Sequence, residues 1–167
     1  MMRLHSLINF ALFQVVWFMC LLLEQHAIVY SAVVIALMFY LSAQKKQDAL
    51  LVLKALPLAL LCEFIAVQLG LFEFKVDPFP LWLVFLWIAL VLCINTSMSF
   101  LTKLKPWQAF CVCLLFAPGS YWAGSRFEVL ELGMPLWQFW PLYGALWAAT
   151  FTFILFLNGK IGEFVKQ

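Results

Sequence analysis

The sequence predicts an all-α, polytopic transmembrane bundle of six helices, with both termini cytoplasmic and the fifth helix broken or kinked at Pro118-Gly119. Three observations carry that expectation. Of 167 residues, 66% are hydrophobic and only 11% charged, far from the near-half apolar and quarter charged composition of soluble domains. The mean hydropathy is +1.03. The charged residues gather in short clusters that cut the chain into apolar runs near the ~20 residues a membrane helix needs. The whole chain, residues 1–167, is therefore read as a single integral membrane domain. The same composition excludes disorder, which needs charge and low hydrophobicity. A net charge of +2, scattered along the chain, excludes a nucleic-acid partner. Five Cys set inside apolar runs are small packing residues and not a disulfide framework.

The expected spans, in order, are about residues 6–23, 27–42, 50–71, 80–101, 107–123 and 136–157. The first begins after Met1-Met2-Arg3 and resembles a signal peptide. The bulky Trp17-Phe18-Met19 before Cys20 suits neither cleavage nor lipidation, so the segment is read as retained. It stops at Glu24-Gln25-His26. The second is short and ends at Gln44-Lys45-Lys46-Gln47-Asp48, which is expected to be a loop. The third carries Pro57 and stops before Glu73-Phe74-Lys75-Val76-Asp77-Pro78. The fourth runs to Thr102-Lys103-Leu104-Lys105-Pro106. In the fifth, Pro118 removes a backbone donor and disfavours helical geometry at Ala117. The stretch Ala117 to Tyr121 is expected to kink or unwind there, with Ser120, Tyr121 and Ser125 satisfying the freed groups. The sixth follows the polar segment Gly124 to Pro135.

Orientation follows from the cations. With a cytoplasmic N-terminus, Arg3, Lys45, Lys46, Lys54, Lys103, Lys105, Lys160 and Lys166 all fall inside, and only Lys75 and Arg126 outside. Glu24, Glu73, Asp77, Glu128 and Glu131 fall outside. Tyr30, Trp82, Trp122, Trp137 and Trp140 sit near the outer interface, and Tyr40 and Trp107 near the inner one, as amphipathic rings do. Trp17, Trp87 and Trp147 lie deeper and pack between helices.

An ionisable side chain at bilayer depth costs at least about 2.5–3.5 kcal/mol, so it faces the bundle interior with a partner. Glu63 is the one carboxylate well inside an expected span. Its depth is roughly 10 Å below the outer end of the third helix by helical rise. Arg126 is its expected partner and Lys75 the alternative, and the carboxyl serves either helix packing or a function. Irregular backbone within a membrane is tolerated only where protein or a wet cavity satisfies it. Glu63, Ser120, Tyr121 and Arg126 are accordingly the expected binding pocket. A second polar group lies in the inner half: Asn9, Asn95 and Ser99, the last two on one helix face at i,i+4. Gln14 is about 140° round from Asn9 and points elsewhere. These residues are expected to act as interhelical glue.

No histidine box, zinc helix, nucleophile elbow or phosphate loop occurs. Neither a metal nor a cofactor is expected, and the catalytic residues, if any, are not assigned.

Asn9 with Gln14 and Trp17, Glu63, Asn95, and Pro118-x-Ser120-Tyr121-x-x-Gly124 together resemble a small six-helix bacterial inner-membrane family. That family is catalogued only as a domain of unknown function and is found mainly in proteobacteria. It more often has Asp where this chain has Glu63. Its genes often neighbour others resembling cyclopropane-fatty-acid synthases and flavin-dependent amine oxidases, sometimes under photo-oxidative stress control. The resemblance implies a link to modification of membrane acyl chains.

Three readings remain. The first is a lipid-associated accessory factor with membrane lipids, and enzymes that modify them, as partners. The second is a small secondary transporter with its site near Glu63, supported by Pro57 and Pro141 at corresponding places in two halves. The third is an intramembrane enzyme using Glu63 as acid or base.

Overall fold

The computed structural model describes residues 2–165. Lys166, counted above among the cytoplasmic cations, lies outside them, as does the side chain of Arg3. Most of the described chain is helical: α1 (Met2–Leu23), α2 (Ala27–Leu41), α3 (Lys45–Gln68), α4 (Leu81–Val91), α5 (Pro106–Arg126) and α6 (Leu136–Val165). A 3₁₀ turn at Glu24–His26 joins α1 to α2, so five separate helical stretches stand where six rods were expected. The stretches Leu4–Leu41, Lys45–Gln68 and Leu136–Val165 are each long and apolar enough to cross a membrane.

The first of these doubles back on itself. Glu24 adopts a left-handed φ of 48°, which a non-glycine residue adopts at some cost. Its carboxylate receives Lys75 Nζ at 2.6 Å, so Lys75 is engaged here and not at Glu63. Beyond the turn, Ser31 of α2 lies against Cys20 of α1, and Met38 and Leu41 come level with Asn9 and Leu12.

Two segments read as loops pair as a small two-stranded antiparallel sheet, hairpin-like although α4 and α5 separate its strands in the chain: β1 (Phe72–Phe74) and β2 (Leu130–Leu132), in the register Phe72↔Leu132, Glu73↔Glu131, Phe74↔Leu130. Strict alternation sets it: in F-E-F and L-E-L the apolar side chains face the bundle and both glutamates face out. The hairpin is tied to the end of α3 where Gly133 N–H donates to the Leu71 carbonyl at 3.0 Å. A Cβ on Gly133 would sit 2.0 Å from the carbonyl oxygen of Gly70, so only glycine permits that approach.

The interrupted helix is α4, and the continuous one is α5. The early end of α4 corrects the expected span, and α5 has no break at Pro118-Gly119. Helix α4 ends at Val91 instead of reaching Leu101, and residues 92–100 form successive turns. Their bonds have shifted register: Cys93 to Leu90, Ile94 to Val91, and Met98 back to Cys93. The sequence there is Asn95-Thr96-Ser97, whose side chains compete with the backbone for hydrogen bonds. Asn9 braces the break. Its Nδ2 donates to the Leu92 carbonyl at 3.4 Å, and its Oδ1 accepts from Ser97 Oγ at 2.6 Å and Ser97 N–H at 3.4 Å. Ser6 Oγ donates to the Thr96 carbonyl at 3.4 Å.

Helix α5 stays helical through Pro118 and Gly119 because α6 accommodates the defect. Pro118 has no N–H for the Leu114 carbonyl four residues back. That carbonyl points at Gly144 of α6, where a Cβ would lie 2.8 Å from the oxygen. One residue on, Trp140 Nε1 donates to the Leu115 carbonyl at 3.2 Å. Neighbouring α6, not Ser120 or Tyr121, therefore supplies the support. Helix α3 likewise begins at Lys45, earlier than expected, which turns Lys45-Lys46-Gln47-Asp48 from a loop into a first helical turn and buries Asp48. Trp82, placed at the outer interface above, is also buried.

The described ends of the chain share one end of the bundle. There the start of α1 meets the broken part of α4, and the first turn of α3 meets Asn158 near the end of α6. The β hairpin closes the opposite end.

Candidate functional site

Glu63 stands about one and a half turns before the end of α3 and is 0% exposed. The expected cation is not its partner: Arg126 is exposed, and among the described residues neither ion pair involves Glu63. Five residues of helix beyond Tyr121 carry Arg126 about 7.5 Å further out, away from the buried carboxyl. The carboxyl is held instead by three aromatic donors. Trp87 Nε1 of α4 donates to Oε1 at 3.0 Å. Tyr143 OH of α6 lies 3.1 Å from Oε1 and 3.3 Å from Oε2. Tyr121 OH of α5 donates to Oε1 as well. One side chain thus ties four helices together.

Aromatic packing seals this cluster. The Tyr121 and Tyr143 rings meet with centroids 4.4 Å apart. Phe72 of β1, fully buried, lies over both, its ring centroid 5.1 Å from each. Trp87 stacks on Trp147 at 5.5 Å. The hairpin therefore acts as a cap that keeps the carboxyl out of solvent, and each buried donor would cost about 1–3 kcal/mol if left unpaired.

Beside the cluster is a cavity of about 400 Å³, within the ~300–1,000 Å³ range of small-molecule sites. It lies between α4 and α5, with α1 and α6 behind. Phe13, Trp17, Trp87, Phe116, Tyr121 and Trp147 are among its walls, and Ser120 stands at its exposed rim. Trp17, Trp87 and Trp147, expected to pack between helices, all border it. Glu63 and Tyr143 do not line it; Tyr121 and Trp87 stand between the carboxyl and the cavity. Any influence of Glu63 on a molecule there passes through Tyr121 or Trp87.

Of the expected pocket, Glu63 and Tyr121 are joined, Ser120 is at the rim of the adjoining cavity, and Arg126 is outside. Sequence reasoning missed Trp87, Tyr143 and Phe72. For the first two a signal existed: an indole N–H and a phenol at mid-span need buried acceptors.

The inner polar group is larger than expected. Asn95 and Asn158 exchange carboxamide hydrogen bonds, Asn158 Nδ2 to Asn95 Oδ1 at 2.8 Å and Asn95 Nδ2 to Asn158 Oδ1 at 3.1 Å. Asn95 Nδ2 also donates to Asp48 Oδ1 at 2.7 Å, and Gln47 Nε2 to Asn158 Oδ1 at 2.9 Å. Ser42 Oγ donates to the other Asp48 oxygen. Asn9 belongs to the neighbouring brace on Ser97, and Gln14 joins neither group. Because α4 is unwound here, Asn95 and Ser99 do not share a helical face as expected; both line a cavity of about 320 Å³. On its other side Asn95 faces a polar cavity of about 850 Å³, with Asn158, Lys45 and Lys46. Asp48, Gln47 and Asn158 were not anticipated here. Among the described residues, no three His, Cys, Asp or Glu side chains gather as metal ligands would.

Residues 6–153 match the family described as "Protein of unknown function (DUF2878)". The chain belongs to that family. No curated protein and no solved structure matches it. Membership thus brings the DUF2878 chain no activity from a relative, and its function is argued from its own geometry.

Proposed function

We propose that this DUF2878 protein is a multi-pass protein of the bacterial inner membrane that holds one chain of a membrane lipid between α4 and α5, as an accessory to lipid modification or to a stress response. The observation that carries the reading is the cavity of about 400 Å³, whose walls are almost wholly aromatic and aliphatic and whose hydroxyl-bearing residues are the adjacent Ser120 and Tyr121. An apolar cleft ending in a few convergent polar groups is the usual form of a small-molecule site. Its rim carries exposed Phe100 and Phe116, so it opens on the apolar flank of the bundle, where acyl chains would be.

Charge supports the orientation. The end of the bundle that holds the start of α3 and the end of α6 carries Lys45, Lys46 and Lys160, with Lys103 and Lys105 between α4 and α5. The hairpin end carries Glu24, Glu73, Asp77, Glu128 and Glu131. With only Lys75 and Arg126 as described cations at the hairpin end, the positive-inside rule supports a cytoplasmic first end. Purification in mild detergent followed by mass spectrometry tests the lipid reading. A lipid should be retained in near-stoichiometric amount, and Val112→Trp, which fills the cavity wall, should remove it without lowering thermal stability. Wild-type protein free of lipid, or equal retention by the filled variant, would overturn the reading.

One observation favours a second reading, a small transporter. A discontinuous helix beside a polar cavity is how transporters form midplane sites, and α4 breaks where Asn95 faces the cavity of about 850 Å³. That site centres on Asn95 and Asn158, and Glu63 becomes a packing element. Cysteines placed at Asn95 should then react with a membrane-impermeant thiol reagent from both sides of the membrane. Reaction from one side alone would leave the lipid reading.

A further inference from the structure

Resting on the lipid-holding reading, we infer that the end of the lipid meeting Tyr121 is an uncharged, hydroxyl-bearing group, and that carboxylate- and phosphate-ended chains are turned away. Three observations point there. Among the described residues, no charged side chain lines the cavity. The two outer cations are elsewhere, Lys75 on Glu24 and Arg126 exposed, so an anion carried in would find no counter-charge. An unpaired charge in an apolar site is far more costly than a hydrogen-bonded neutral group. A carboxyl, Glu63, stands directly behind Tyr121.

Hydrogen-bond polarity gives the same answer independently of charge. The Tyr121 O–H is spent on Glu63, so what Tyr121 offers the cavity is an oxygen that accepts. The indole N–H of Trp87 is also spent on Glu63. At Tyr121 a carboxylate or phosphate oxygen, which only accepts, would meet another acceptor, and the remaining donors among the lining residues, the indoles of Trp17 and Trp147 and the Ser120 hydroxyl, carry no charge to offset an anion. A hydroxyl donates to Tyr121 and can accept from Ser120 at the rim. The buried carboxyl thus acts as a positioning residue: it fixes the direction of the Tyr121 O–H and through it the polarity of the cavity's polar end.

The test uses the three tryptophans that border the cavity, Trp17, Trp87 and Trp147, as reporters, since bromine on a chain quenches indole fluorescence at contact. Purified full-length protein in detergent is titrated with dibromostearyl alcohol and with its sulfonate and trimethylammonium counterparts, whose charges do not titrate. Quenching that persists in Val112→Phe protein, which narrows the cavity without adding an indole, is subtracted. The alcohol is expected to saturate at a concentration at least about tenfold below the sulfonate, the discrimination that one or two hydrogen bonds with mispaired acceptors provide. Ser120→Ala, at an exposed position, should weaken the alcohol by about threefold and leave the sulfonate unchanged. Tyr121→Phe should narrow the preference further. Equal binding of alcohol and sulfonate, or tighter binding of the trimethylammonium probe, would overturn the inference while leaving a lipid site. Absence of cavity-specific quenching by all three probes would overturn the lipid-holding reading itself.

Discussion

The bundle holds two polar clusters, and they are built by opposite means. At the hairpin end one carboxyl, Glu63, takes three donors from rigid aromatic side chains, each fixed in the interior of its own helix. Phe72 covers it, and the cavity beside it is apolar. At the other end, flexible carboxamides and Asp48 meet at the first turn of α3, the unwound part of α4 and the end of α6. That cluster borders a polar cavity of about 850 Å³. The first arrangement is dry and has no substitute for a lost partner. In the second, water can enter and replace one. Clusters of similar size should therefore differ sharply in how they tolerate mutation.

The largest effect is expected for Glu63→Leu. It leaves Trp87 Nε1, Tyr121 OH and Tyr143 OH buried without their acceptor, so the loss should be about 3 kcal/mol or more, at roughly 1–3 kcal/mol per unpaired donor. Thermal unfolding in detergent measures it. Asn95→Ala removes bonds to Asp48, Asn158 and Gln47, yet should cost only about 2 kcal/mol, because Asn95 itself borders the polar cavity and water can take the place its side chain leaves. If Asn95→Ala proves as damaging as Glu63→Leu, the contrast between a dry and a wet cluster is wrong.

Much of the outline was legible in the sequence, because membrane spanning is a demand on composition and length: the apolar runs and most of their breaks, and a buried Glu63 with Tyr121 beside it. What was not legible depends on neighbours that are distant in the chain. Pro118 marks a missing donor, but whether a helix breaks there depends on what faces Leu114 and Leu115, and that is Gly144 and Trp140 of α6. The break in α4 had a local cue in Asn95-Thr96-Ser97, outweighed in the reading by the apolar run around it. Asp48 reads as a loop residue because Lys45 and Lys46 precede it. Only the pairing with Asn95 and Ser42 shows that it turns inward.

Gly144 offers a way to disturb one cluster alone. A Cβ there would meet the Leu114 carbonyl at 2.8 Å and Pro118 Cγ at 3.1 Å, so Gly144→Ala must push α5 off α6. Backbone cannot yield as a side chain tip does, and the cost should be about 1–2 kcal/mol. The shift separates Tyr121 from Tyr143, which should change the fluorescence of Trp87, bonded to the same carboxyl, while Asn95 and Asn158 are untouched. An unchanged emission spectrum with lowered stability would mean that the aromatic cluster does not depend on this helix contact.

The smallest effects should come from the paired conservative changes Glu63→Gln and Asp48→Asn, and these sharpen the comparison most. Each keeps an acceptor in place and removes the capacity for charge. At Glu63 all three partners are donors, and the amide oxygen can still receive them, but the new NH₂ group must find an acceptor in a dry site. Tyr143 oxygen, 3.3 Å from Oε2, is placed to be that acceptor once its own hydrogen points to the amide oxygen. At Asp48 the partners are again donors, Asn95 Nδ2 and Ser42 Oγ, but Ser42 can rotate its hydrogen away and accept, and the polar cavity supplies water. Both variants should lose about 1 kcal/mol or less, the difference between a charge-assisted and a neutral hydrogen bond, with Asp48→Asn the milder of the two. A loss at Glu63→Gln approaching that of Glu63→Leu would show that charge holds the aromatic cluster, and not the mere presence of an acceptor.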